Sequence, residues 1–191
     1  GSKLWDFTTG NVVVSSPYVQ KGSVYFGSDD YNFYCLDTKE GKKIWDFKTG
    51  GMVKSSPYVF DGSVYFGSND KNLYCLDIKS GEKTWDFQTG SWILSSPSAE
   101  DEYIYFGSDD KKFYCLEAKT GKKIWDFCAG DKISSSPCIA ESFIYFGSSD
   151  KKLYCLNART GVKSWEFETG GDIWSRPCIV NGLIYFGSND R

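Results

Sequence analysis

Read for polarity alone, the chain is a succession of short apolar runs divided by polar and glycine-bearing positions. Between residues 11 and 50 the runs fall around Val14-Ser15-Ser16-Pro17-Tyr18-Val19, Val24-Tyr25-Phe26-Gly27, Phe33-Tyr34-Cys35-Leu36 and Ile44-Trp45-Asp46-Phe47. Each has the length of a short strand and is rich in β-branched or aromatic residues. In the second run Val24 and Phe26 face one way and Tyr25 the other, so the middle strands are apolar on both faces and need cover on both. Radially stacked sheets provide that cover, whereas a single layer with one wet face does not. A β-helix is the alternative, but its repeat is shorter and lacks regular hairpin turns.

The same pattern returns every 40 residues. Trp5, Trp45, Trp85, Trp125 and Trp165 keep that interval, as do Pro17, Pro57, Pro97, Pro137 and Pro177. A fixed period of this size in strand-like sequence marks a propeller or solenoid. The expected fold is all-β, a β-propeller of four-stranded antiparallel blades. It forms a single domain over residues 1–191, with repeats at about 11–50, 51–90, 91–130, 131–170, and 171–191 plus 1–10. Lys21-Gly22, Asp61-Gly62 and Asn181-Gly182 carry the chemistry of tight hairpins between first and second strands. Gly41, Gly81, Gly121 and Gly161 mark the turn from third to fourth. Proline donates nothing to a ladder, so the run holding Pro17 belongs at an edge, and its small serines suit a crowded axis. Lysines beside the tryptophans suit the opposite, outer edge.

The ends are out of phase. The chain opens on an outer run at Leu4-Trp5 and closes just after a second run at Tyr185-Phe186, leaving one third strand short. Two architectures follow: a closed five-bladed ring with one imperfect blade, or part of a larger ring. An unfinished blade invites pairing with another chain, so a protein partner or self-association through it is expected.

Composition narrows the chemistry. With 22 basic and 25 acidic residues the net charge is −3, which argues against a nucleic-acid partner. No apolar stretch is long enough to insert in a membrane as a helix, and no signal-peptide pattern is present. There is no histidine, which removes Ser-His-Asp and Cys-His arrangements. Seven cysteines include no CxxC pair, and four of them, Cys35, Cys75, Cys115 and Cys155, recur once per repeat. That spacing reads as buried free thiols, with no metal site.

The segment Cys35-Leu36-Asp37-Thr38-Lys39-Glu40-Gly41-Lys42-Lys43-Ile44-Trp45 resembles the tryptophan-docking motif of quinoprotein-type, PQQ-like propeller repeats, A-x-D-x-x-T-G-K-x-x-W. The copies ending at Trp85, Trp125 and Trp165 match too. Cys stands for Ala throughout; Asp37 and Asp77 fit while Glu117 and Asn157 depart, and Thr120 and Thr160 fit while Glu40 and Ser80 depart. The resemblance implies that each tryptophan packs between adjacent blades, held by the turn glycine, and that the full ring has more than five blades. It also implies a cofactor site in the family's enzymes: an adjacent Cys-Cys pair, a calcium ion and a catalytic aspartate on long loops. Those features are missing here, so no cofactor is expected and a dehydrogenase fragment is the second reading. Free cysteines point to a reducing or anaerobic compartment and the resemblance to an extracytoplasmic one, so the location stays open.

Two surface sets remain. Asp30, Asp70, Asp110, Asp150 and Asp190 form a ring that could hold a cation or simply serve their own turns; the turn role is expected. The loop before each first strand varies most between repeats. Met52, Trp92, Lys132, Asp172 and nearby Trp174 are therefore the candidate ligand surface. The expected function is a non-catalytic binding or scaffolding platform for protein or a small ligand. An engineered or recently amplified repeat without a ligand is the third reading.

Overall fold

The computed structural model describes residues 1–190. Four antiparallel sheets of four strands follow one another. The first holds β1 (Tyr18–Gln20), β2 (Ser23–Gly27), β3 (Asn32–Asp37) and β4 (Lys43–Lys48). The second holds β5 (Tyr58–Phe60), β6 (Ser63–Gly67), β7 (Asn72–Asp77) and β8 (Lys83–Gln88). The third holds β9 (Ser98–Glu100), β10 (Tyr103–Gly107), β11 (Lys112–Glu117) and β12 (Lys123–Cys128). The fourth holds β13 (Cys138–Ala140), β14 (Phe143–Gly147), β15 (Lys152–Asn157) and β16 (Lys163–Glu168), and a two-stranded sheet of β17 (Cys178–Val180) and β18 (Leu183–Tyr185) comes last. First strands of successive sheets lie side by side, β5 by β9, β9 by β13 and β13 by β17, so they form the inner edge.

Local chemistry sets each hairpin. Lys21 and Gly22 both have positive φ, 48° and 84°, which gives the primed turn that matches strand twist. Between third and fourth strands the ladder slips: Cys35 faces Trp45 but Leu36 faces Lys43, so Ile44 is an extra, bulged residue. The same slip recurs at Cys115/Leu116 and Cys155/Leu156. The bulge sits directly before the tryptophan and bends the strand that presents the indole to the next sheet.

Packing between sheets is very close at one glycine per repeat. A Cβ on Gly67 would lie 2.2 Å from Ile93 Cγ2 and 2.7 Å from the Ile93 carbonyl. The Ile93 amide donates to Ser68 O across the same seam (3.2 Å). Aromatic faces fill the middle, with Phe33 and Phe66 stacked at 3.9 Å between centroids and Phe113 and Phe146 at 4.2 Å. Three of the four core clusters span two sheets, as where Tyr25, Phe33 and Cys35 of the first pack with Val53, Phe66 and Leu76 of the second; the fourth packs the first sheet against Trp5 and Phe7. Farther out, Trp5, Trp85 and Trp125 donate their indole N–H to the carbonyls of Thr38 (2.9 Å), Ala118 (3.0 Å) and Ala158 (3.2 Å). Gly41, Gly81, Gly121 and Gly161, at φ between 67° and 73°, leave the space the preceding indole fills.

Two expectations need correction. The first strands are shorter than the apolar runs and begin after the proline, so Pro17 is outside β1. Ser15 and Ser16 precede the strand and act as clamps. Ser15 Oγ bonds both N and O of Gly27 (2.8 Å each), and the Ser16 amide donates to Ser56 Oγ of the next sheet (2.8 Å). Not every thiol is buried: Cys35, Cys75, Cys115 and Cys155 are, but Cys128 and Cys178 are exposed. Among the described residues no ladder joins residues 1–10 to β18. Instead Phe7 packs edge-on to Tyr34 (5.4 Å) as Phe47 does to Tyr74 (5.3 Å), so residues 5–7 reproduce the contacts of a fourth strand.

Candidate functional site

One face of the array carries two loops per sheet: the variable loop and the turn between second and third strands. Backbone bonds tie them together. The carbonyls of Val12, Met52, Trp92, Lys132 and Asp172 accept from the amides of Asp29, Asn69, Asp109, Ser149 and Asn189. The next residue of four of these loops, Val53, Ile93, Ile133 and Ile173, is fully buried. The loop backbone is therefore fixed, and only the side chain at the variable position is free to differ. Trp92 is 50% exposed and Trp174 58%. Lys132 is exposed, and Met52 and Asp172 are half-buried. Trp174 Nε1 donates to Ser149 Oγ at 3.0 Å, which orients the ring. These residues recur one or two per sheet along the face, and the larger cavities lie elsewhere.

The aspartate set has its own work. Asp30 Oδ2 accepts from the Gly10 amide (2.8 Å) and the Tyr34 hydroxyl (2.7 Å), while Oδ1 accepts from the Asn32 amide (2.9 Å). Asp70, Asp110 and Asp150 repeat the pattern. Each carboxylate closes its own turn and pins the exit of the preceding fourth strand. With their oxygens committed to N–H and O–H donors, these groups do not fit a calcium site. No group of three or more metal-ligating side chains occurs among the described residues. A quinone site fits no better, since Cys35, Cys75, Cys115 and Cys155 are each buried in a separate sheet.

This network titrates in a definite direction. Burial pushes the Tyr34 hydroxyl up to about 12, and the bond to Asp30 adds to the shift; burial likewise raises Tyr25 to about 12. Burial also acts to raise Asp30, but the bonds from Tyr34, Asn32 and Gly10 outweigh it and leave that carboxyl below its ordinary value. Unfolded tyrosine loses its proton near pH 10, so these two contribute stability that is complete below pH 10 and lost as pH rises from 10 to about 12. Loss of β-sheet circular dichroism is expected in that window, together with the last part of the tyrosinate ultraviolet signal, which comes from buried tyrosines such as Tyr25 and Tyr34. Full tyrosinate signal from all 13 tyrosines in protein that keeps its sheet spectrum would contradict this.

Sequence reasoning passed over one feature. A cavity of about 710 Å³ between the first two sheets is lined by Gln20, Tyr25, Trp45 and Ile78. The equivalent grooves at the next two seams hold about 370 and 430 Å³. The signal was present: Gln20 aligns with Phe60, Glu100, Ala140 and Val180, and Ile78 with Ala118 and Ala158.

A family model described as outer membrane protein assembly factor BamB, of the PQQ-like repeat type, matches residues 1–96 and again 90–189. The chain belongs to this family. Among solved structures, BamB from Moraxella catarrhalis superposes at a TM-score of 0.87 with 18% identity, over 97% of this chain and 61% of that one. The computationally designed Ika8 protein superposes at 0.81 with 13% identity, over 90% of this chain and 54% of that one. The chain thus spans under two thirds of the length of both. At these identities the likeness to the PQQ-like propellers is one of fold. No curated protein sequence matches the chain.

Proposed function

We infer that the chain is a non-catalytic PQQ-like propeller module whose loop face binds protein. The observation that carries this reading is the pair Trp92 and Trp174, half in water on loops with pinned backbones. Large exposed aromatics on a rigid frame are the usual anchors of an interface. Met52, Lys132 and Asp172 supply a mixed surround. The matching family is named for an assembly factor, which agrees with a scaffolding role. The absence of histidine and of adjacent cysteines from the sequence disfavours the dehydrogenase reading.

The whole chain reads as a single propeller domain within a larger ring. Trp165, Phe167, Leu183 and Tyr185 are exposed at one end of the array and Val12, Val14 and Val19 at the other. Apolar faces of this kind suit further blades or a second copy. The near-identical repeats and the designed neighbour favour one other reading, a repeat array with no ligand.

A random peptide library selected on the immobilised chain tests the loop face. The selected peptides are expected to lose about tenfold in affinity for Trp92→Ala and for Trp174→Ala, and none for Lys42→Ala. Peptides that bind all variants equally, or no enrichment, would favour the array without a ligand. Light scattering on the same protein reads self-association: a mass fixed at 21.5 kDa at every concentration removes it.

A further inference from the structure

The turns of the first hairpins are not chemically equal. Asn181-Gly182 is the one Asn-Gly pair in the chain; the other six asparagines precede Val12, Phe33, Asp70, Leu73, Ala158 and Asp190. Glycine leaves its own nitrogen unshielded, so an asparagine before it is the most open to attack by that nitrogen. Asp61-Gly62 stands at the same place in the second sheet. Its φ values, 45° and 76°, match the 52° and 76° of Asn181 and Gly182, so the two turns have one shape.

What holds the two turns differs. The carbonyls of Gly22, Gly62, Glu102 and Ser142 accept from the amides of Thr38, Ile78, Ala118 and Ala158, at 3.0, 3.1, 2.8 and 2.9 Å. Each donor directly follows a third strand. The sheet of β17 and β18 has no third strand, and among the described residues no backbone amide donates to the Gly182 carbonyl. Cover is missing too: Tyr185 is 56% exposed where its counterpart Tyr65 is 2% exposed. Ring closure between the Gly182 nitrogen and Asn181 Cγ rotates the Asn181 backbone out of its turn. A tethered turn resists that rotation, and an untethered, uncovered one opens at little cost.

We propose that Asn181 is a self-deamidation site, gated by the missing tether of its turn. The Gly182 nitrogen bonds to Asn181 Cγ, the Cγ–Nδ2 bond breaks, and Nδ2 leaves as ammonia with the proton the Gly182 nitrogen gives up. Water then opens the five-membered imide at either carbonyl, giving aspartate or isoaspartate. Aspartate fits this turn, as Asp61 shows. Isoaspartate runs the chain through the side chain and adds one backbone atom, which throws Val180 and Leu183 out of register. Beyond β18, Gly187 N and O bond Ser175 Oγ (2.8 and 2.9 Å), and the Asn189 amide donates to Asp172 O (2.9 Å). These bonds hold the loop of Trp174, so isoaspartate formation loosens that loop. The chemistry does not rest on the loop face binding anything.

Asp61→Asn puts the same dipeptide in a tethered turn of the same molecule. The variant is aged at neutral and at mildly alkaline pH, and peptide mass spectrometry reads the conversion of amide to acid. Asn181 is expected to convert faster at the higher pH, because the attacking nitrogen is deprotonated. Residue 61 of the variant is expected to convert about tenfold more slowly, for its added hydrogen bond and cover. In denaturant the two rates are expected to converge. Equal rates in the folded variant, or the same difference in denaturant, would overturn the proposal. The parent protein gives a second reading: folded Asn181 is expected to convert within about tenfold of its rate in denaturant. Asn181 left intact in the folded parent while it converts in denaturant would overturn the proposal as well.

Discussion

Gly107→Ala is expected to destabilise the chain by about 3 kcal/mol or more, the upper range for overpacking a close-packed interior. An added Cβ would sit 2.3 Å from Ile133 Cγ2 and 2.7 Å from the Ile133 carbonyl. One of these is backbone, so no rotamer change relieves the clash. The third and fourth sheets must part, and with them go the Ile133 N–H to Ser108 O bond (3.1 Å) and the contacts of Phe113 with Phe146. Gly62→Ala is the comparison. Nothing lies within 4 Å of a Cβ there, and only its φ of 76° opposes a side chain, at about 1–2 kcal/mol. Chemical denaturation of both variants checks the ranking. Equal midpoints would mean that the sheets are not in contact at Gly107.

Trp85→Ala is expected to cost about 3 kcal/mol, the low end for a large aromatic because the ring is only partly buried. Trp85→Phe separates the two parts of that loss. It keeps a ring near Gly121, where a Cβ would lie 2.7 Å from the indole, but leaves the Ala118 carbonyl without its N–H donor. The phenylalanine variant should therefore lose about 1–3 kcal/mol. Trp45→Phe should lose less, because the indole N–H it removes has no partner. Denaturation midpoints of the two phenylalanine variants decide this. If Trp45→Phe is as damaging as Trp85→Phe, then Trp45 docks onto Ile78 as its relatives dock onto alanines.

The two results bear on how blades adhere. Near the inner strands the seam is governed by shape, through glycines with no room for a methyl group. Near the outer strands it is governed by one indole, a bulge that aims it and a glycine that admits it. A change of one residue at the outer seam, such as Ile78 where later copies have alanine, alters a cavity without disturbing the inner seam. That is a route by which a uniform array can acquire one distinct cavity.

Much of the fold was legible in the residues. The 40-residue period, the Asp-Gly and Asn-Gly hairpins and the alternation of Val24, Tyr25 and Phe26 specify antiparallel four-stranded units covered on both faces, because period and turn chemistry act locally. The tryptophan and glycine pattern also marked the docking seam. What lay beyond the sequence depends on neighbours 20 or 40 residues away. The bond from the Gly10 amide to Asp30, the start of β1 after Pro17, the clamp from Ser16 to Ser56 and the exposure of Cys128 and Cys178 are set by how one sheet meets the next. The unpartnered Trp45 is the clearest case. Its local sequence matches Trp125, Lys-Lys-Ile-Trp-Asp-Phe in both, yet only Trp125 finds a carbonyl. An identical strand makes a different contact because the carbonyl belongs to the following sheet, and hydrogen bonds across a seam answer to the packing of both sides.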